Sequence, residues 1–194
     1  MTSGRWLAVI VLVGAVLRFV PIWFGLPFPH ARPDETVALG LANSVRGGDL
    51  NPHFFHWPSL TIYVFAALNA AASAIRRALN VDPGLTFADQ VVVARAFVAG
   101  AGTLTLVVLF RMARRMADIT TGLLAAFFLA VSILHVRESH FAMTDALMTL
   151  SLTASLALLL RAVEADPAAD SAESRSGALR WFAVAGFVGG LATS

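Results

Sequence analysis

An all-α, polytopic transmembrane helical bundle is the fold class this sequence predicts, and three observations predict it. Apolar residues make up 58% of the chain and charged residues 13%, far from the balance a water-soluble domain keeps. Mean hydropathy is strongly positive. Several apolar runs are long enough, or nearly so, to cross a hydrocarbon layer at about 1.5 Å of rise per residue. All 14 basic residues are arginine and the formal net charge is +2; no basic stripe of the kind that binds nucleic acid is present. The chain has no cysteine, which excludes disulfide frameworks, thiolate metal sites and cysteine nucleophiles. Any chemistry therefore rests on carboxylates, histidines and arginines.

The first span covers residues 6–26, behind Arg5 and with one internal charge, Arg18. A cleaved signal peptide is the rival reading. The run is long, however, and its end, Gly25-Leu26-Pro27-Phe28-Pro29, offers no small-x-small cleavage site, so an uncleaved helix is expected. Further spans are expected at residues 88–110, 119–136, 145–161 and 178–194. The first of these carries Arg95 and is followed by Arg111, Arg114 and Arg115; the span 145–161 ends on Arg161. A polar stretch rich in Asp, Ala and Ser, residues 165–176, precedes the last span. The chain reads as the N-terminal part of a larger transmembrane domain.

Two more helices are expected in the first long loop, at 35–46 and 58–79. The second is apolar but interrupted by Ser59, Thr61, Asn69 and Ser73, and it closes on Arg76 and Arg77. If it spans, the loops around Asp34 and around Arg137 fall on opposite sides of the membrane; if it lies in the interface they share one side. Arginines in short loops concentrate on the cytoplasmic side. With Arg5 inside, only an interfacial 58–79 helix also places the Arg111 cluster inside. That leaves Arg76 and Arg77 outside, a smaller violation, and a juxtamembrane helix is the expectation.

Two polar constellations remain. The first is His30-Ala31-Arg32-Pro33-Asp34-Glu35-Thr36, where an acidic pair follows a proline and opens a helix-like run to Val45. A carboxylate there is favoured by the helix dipole and is placed to act as a base; equally, Asp34 serves as a plain N-cap. The second is Arg137-Glu138-Ser139-His140-Phe141-Ala142-Met143-Thr144-Asp145. If this stretch is helical, Arg137, His140, Thr144 and Asp145 return to one side and line one pocket. The plainer alternative is a loop capped by Thr144 or Asp145, with Arg137 snorkelling to the interface. Arg18 and Arg95 tilt the balance, because a charge inside an apolar span costs on the order of 2.5 to 3.5 kcal/mol and such residues usually face a polar cavity.

In order and spacing these residues resemble the polyprenyl-phosphate-sugar-dependent glycosyltransferases of the GT-C fold. The similar group is the family 39-like set that includes the protein O-mannosyltransferases and the lipid A aminoarabinose transferases. Asp34-Glu35 resembles that family's acidic pair in the first outer loop, and His56-Trp57-Pro58-Ser59-Leu60 its juxtamembrane proline motif, with Trp57 where the family usually has a second proline. Arg95 resembles its early arginine of the second span, the Arg137 to Asp145 stretch its second outer-loop motif, and Gly186 to Ser194 its glycine-rich helix.

The resemblance implies a sugar donor linked to a polyprenyl phosphate, a hydroxyl acceptor and contact with membrane lipids. It implies a multi-pass protein of the cell inner membrane with its active-site loops on the outer, periplasmic side. Asp34 is then the general base, and Glu35 positions the acceptor or a neighbouring cation. Arg137 and Arg95 stabilise the departing phosphate, and His140 and Asp145 orient these groups. The carboxylates leave room for a divalent cation, although no ligand set with metal-like spacing stands out. Two other classes stay open. A secondary transporter would carry ionisable groups near the midplane, whereas these carboxylates flank the spans. A non-catalytic lipid-binding subunit would tolerate replacement of Asp34.

Overall fold

Proline, glycine and capping residues set the helix boundaries. Residues 3–28, 32–165 and 172–193 are described in this computed structural model, with side chains from residue 177 onward in the last stretch. Helix α1, Ser3–Phe19, continues into a single 3-10 turn, Val20–Trp23, where Pro21 withdraws an amide from the ladder. Helix α2, Pro33–Arg46, starts on Pro33 with Asp34 and Glu35 in its first turn; proline there loses no bond, and acids there meet the positive end of the helix. Helix α3 is Leu60–Ala78. Helix α4, Phe87–Met116, opens with a capping box in which Thr86 and Asp89 satisfy each other's backbone amides,.

Helix α5, Ile119–Val131, is capped by Asp118, whose carboxylate accepts from the Thr121 amide at 2.7 Å. That amide, and then the Thr121 hydroxyl, hold the Asp118 carboxyl below the usual carboxylate range. Helix α6 is Ile133–Glu138, α7 is Asp145–Glu164 and α8 is Ala172–Leu191. The described residues hold no strand, and Ser3–Trp23, Phe87–Met116 and Asp145–Glu164 are long and apolar enough to cross a membrane. The expected all-α membrane bundle is the fold observed.

Helix α4 is the hub: α1, α5 and α7 pack on it, and α8 packs on α7. Its first half also carries a small core formed with α2 and α3, in which Leu39, Ile62, Phe65, Val91 and Val98 are buried. Elsewhere large apolar side chains point outward, among them Leu12 and Val16 of α1, Phe128 of α5 and Leu156 of α7. A water-facing surface does not carry such a coat, whereas lipid accepts it.

The stretch 119–136 is not one helix. It breaks at Ser132, whose φ of −62° and ψ of 114° are extended. The break has a visible support. Without a continuing helix, the carbonyls of Leu129 and Ala130 lose the amides of residues four ahead. The Arg18 guanidinium reaches them from α1, donating to Leu129 O at 3.0 Å and Ala130 O at 3.1 Å, with Gly14 O at 2.8 Å. A fourth bond goes to His135 Nδ1 at 2.9 Å. Arg18 is wholly buried: the charge inside α1 caps the end of another helix rather than lining an open cavity.

Close helix contact at Gly122 gives a direct test of the α4–α5 packing. A Cβ on Gly122 would stand 2.9 Å from Phe110 O and 3.0 Å from Arg114 Cβ, and neither atom belongs to a flexible side-chain end. Gly122→Ala is therefore expected to destabilise the bundle by about 1–3 kcal/mol, read as a lower thermal midpoint in mild detergent. An unchanged midpoint would mean that the two helices separate more easily than this geometry implies.

Candidate functional site

At the α2 end of the bundle a buried ion pair joins four chain segments. Glu35 turns inward from the first turn of α2 and meets Arg95, about two turns above the start of α4,. Arg95 Nε donates to Glu35 Oε1 at 2.8 Å and Nη2 to Oε2 at 2.6 Å, a bidentate fork. Both side chains are nearly inaccessible, 2% and 3% exposed. The remaining Arg95 nitrogen, Nη1, donates to Ile22 O at 2.7 Å and Phe24 O at 2.6 Å, in the exit from α1. Glu35 Oε1 also accepts the Ala142 amide at 2.6 Å. A buried charge persists only when its bonds are satisfied in this way.

The Ala142 bond also joins the two polar stretches of the chain. The loop around Asp34 and the loop around Arg137 meet at one end of the bundle. A second contact agrees, since the Arg32 guanidinium lies 3.6 Å from the centre of the Phe141 ring, within cation–π range.

The predicted site residues divide into two groups. Asp34 is exposed on the first turn of α2, and no hydrogen bond or ion pair ties it down among the described residues. The N-cap reading does not hold, because Arg32 occupies that position and Asp34 lies inside the helix. Arg137 is 60% exposed and paired with its neighbour Glu138, Nε donating to Oε1 at 2.7 Å. Arg137, Glu138, His135, Asp145 and Thr149 line a cleft of about 440 Å³. Glu35 and Arg95, by contrast, are engaged with each other and with the backbone.

The expected convergence of Arg137, His140, Thr144 and Asp145 on one helical face is corrected by the structure. Helix α6 ends at Glu138 and α7 starts at Asp145, so the intervening residues turn instead of continuing the helix. Arg137 and Asp145 still share the cleft. His140 points elsewhere: its Nε2 lies 2.7 Å from Leu17 O. A carbonyl only accepts, so this nitrogen carries the proton and fastens the loop to α1. Thr144 is buried at the N-cap position of α7 without a side-chain capping bond.

His135 is a cleft residue that sequence reasoning passed over. Arg18 donates to its Nδ1, and arginine has no acceptor, so the neutral imidazole holds its proton on Nε2. The available signal was its place at the polar end of an apolar run. A second hollow, about 550 Å³, lies between the exit of α1, the end of α3 and the start of α4, walled by Trp23, Leu26, Ile75 and Val92. The Arg76–Asp89 pair, 3.4 Å apart, stands beside it. Among the described residues no three acidic or imidazole side chains gather as a metal site.

Comparison with known proteins adds one finding. The family model described as dolichyl-phosphate-mannose-protein mannosyltransferase matches residues 75–194, from the end of α3 through α8. No curated protein and no solved structure matches the chain. The match includes Arg95, Arg137, His140 and Asp145, and it covers well over half of the sequence. With the multi-pass apolar helices, it makes the chain a membrane glycosyltransferase: it belongs to the dolichyl-phosphate-mannose-protein mannosyltransferase family.

Proposed function

We propose that this protein moves a sugar from a polyprenyl-phosphate donor to a hydroxyl acceptor on a lipid, glycan or protein, at the outer face of the cell inner membrane. The observation that carries the reading is the hydrogen bond from Ala142 to Glu35. It brings an exposed carboxylate on α2, without a partner among the described residues, and a cleft lined by Arg137 to the same end of the bundle.

Asp34 is the general base. It takes the proton of the acceptor hydroxyl as that oxygen bonds to the anomeric carbon, on the face opposite the breaking bond to phosphate, and the configuration inverts. The phosphate departs with the bonding pair and stays on its lipid. Arg137, exposed at the cleft, is the cation available to it, and a guanidinium aimed at a departing phosphate acts strongly in a site of low dielectric. Asp145, across the same cleft, holds Arg137 or a sugar hydroxyl. The apolar hollow beside Trp23 and Leu26 suits the first isoprene units of the donor. Glu35 and Arg95 act by position: they lock the α2 turn onto α4 so that Asp34 faces outward at the same end of the bundle as the cleft.

In this reading α2 and α3 lie along the outer interface, and Arg111, Arg114 and Arg115 face the cytoplasm. Because the chain has no cysteine, the topology can be measured with single substitutions. Val37→Cys and Leu79→Cys, both at exposed positions, are expected to react with an impermeant thiol reagent in intact spheroplasts. Met116→Cys, also exposed, is expected to react only after lysis. Protection of Leu79→Cys with labelling of Val37→Cys would make α3 a span and overturn the shared outer pocket.

A further inference from the structure

At the end of the bundle opposite the acidic pair, three arginines from two helices surround one cleft. Arg95 and Arg115 are separated along α4 by roughly 30 Å, the thickness of a bilayer's hydrocarbon core. Helices α4 and α7 run in the same direction, so their C-terminal ends meet there. Arg111 and Arg115 of α4 and Arg161 of α7 line a cleft of about 220 Å³ whose other walls include Val108, Ala154 and Leu158. A more open hollow of about 360 Å³ adjoins it and shares Arg115 and Arg161. Among the described residues one carboxylate faces these cations: Glu164, 3.2 Å from Arg115. Arg111 is exposed and has no hydrogen-bond partner among the described residues. The described residues of the cleft therefore carry an excess of positive charge.

We propose that this cleft binds the phosphate head group of an anionic phospholipid from the surrounding bilayer. Charge complementarity selects an anion, and two further features select a lipid over a free ion. First, the arginines form the rim while apolar side chains lie deeper: Ala154 is seven residues, roughly 10 Å, further toward the bilayer centre than Arg161. Free phosphate gains nothing from that apolar depth, but the acyl chains of a phospholipid fill it. Second, Arg161 lies over the Trp181 ring of α8, 5.4 Å from its centroid. Tryptophan settles at head-group depth, which puts the guanidiniums at the level where lipid phosphates reside. Arginine clusters between membrane helices are the chemistry that recognises such head groups. The site is separate from the proposed transfer chemistry and does not depend on it.

The test uses the purified full chain in a mild nonionic detergent, with native mass spectrometry reporting bound lipid. Phosphatidylglycerol is compared with phosphatidylcholine of the same acyl chains and with inorganic phosphate. Phosphatidylglycerol is expected to bind more tightly than phosphatidylcholine, with inorganic phosphate neither binding nor competing at equal concentration. Arg111→Gln and Arg161→Gln are each expected to weaken phosphatidylglycerol binding about fivefold, and Arg77→Gln, on exposed α3 surface at the other end, to leave it unchanged. Arg111 makes no side-chain bond among the described residues, so that variant decides the matter even if loss of the Arg161–Trp181 contact weakens the fold. Equal binding of the two lipids, or wild-type binding by Arg111→Gln, overturns the proposal. Competition by inorganic phosphate would make the cleft a free-anion site instead.

Discussion

Asp34→Asn is expected to lower kcat for sugar transfer by about 10²- to 10⁴-fold while leaving the thermal midpoint of the protein unchanged. The size is what a positioned general base contributes when it removes a proton in the transition state. Asn keeps the shape of the side chain but cannot take that proton. The second half of the expectation comes from burial: Asp34 is exposed on α2 and makes no side-chain bond among the described residues, and surface changes of this kind usually stay within about 0.5 kcal/mol. Donor binding is likewise expected to persist, since the phosphate is assigned to Arg137 across the cleft. The measurement is transfer of labelled sugar in membranes containing the wild-type and variant proteins at matched levels. A variant with full activity would remove Asp34 from the chemistry and favour a lipid-binding role without catalysis. Lost activity with a fallen thermal midpoint would point to a structural role for Asp34.

Breaking the buried pair is expected to act in the opposite manner, through the fold. Arg95→Ala removes both bonds to Glu35 and strips the donors from the Ile22 and Phe24 carbonyls. It leaves a carboxylate buried with the Ala142 amide as its one remaining partner among the described residues. Removing one partner of a buried pair typically costs about 3–5 kcal/mol. Glu35→Ala is expected to fall in the same range and to release the 139–144 turn from α2. The double variant Glu35→Leu with Arg95→Met is expected to lie well above either single variant in stability, because it leaves no bare charge. Thermal unfolding in detergent of Glu35→Leu, Arg95→Met and their double variant gives the coupling directly. If the two single effects simply added in the double variant, the pair would not be coupled, and the α2 turn would be held by packing alone.

Much of the fold could be read from the chain. The long apolar runs, Pro33 opening α2 and the arginines after α4 all announce a membrane bundle. What could not be read was pairing over distance. Glu35 and Arg95 are 60 positions apart, and no local pattern says that Glu35, rather than its neighbour Asp34, turns inward. A partial hint was present, because an arginine inside an apolar helix calls for an acid and the pair at Asp34-Glu35 offered two. Nor was the break at Ser132 visible. Its neighbours Ala130, Val131, Ile133 and Leu134 continue the apolar run without glycine or proline, so nothing local forbids a helix. A second interruption, between the end of α6 at Glu138 and the start of α7 at Asp145, defeated the expected arrangement of His140 and Thr144, since a 3.6-residue period predicts facing side chains only where the helix persists.

The capping of α5 by Arg18 has a consequence for how the protein is built. The carbonyls it reaches lie 111 and 112 residues later in the chain, and ribosomes add residues from the N-terminus onward. When α1 first meets the bilayer, its guanidinium therefore has no partner outside its own helix, at a depth where a charge is costly. Docking of α1 against α5 has to wait until the Leu129–His135 segment exists and has bent. Helix α1 is made before α5 but settles only after it, and the arginine that hinders its insertion is also the tie that docks the two helices.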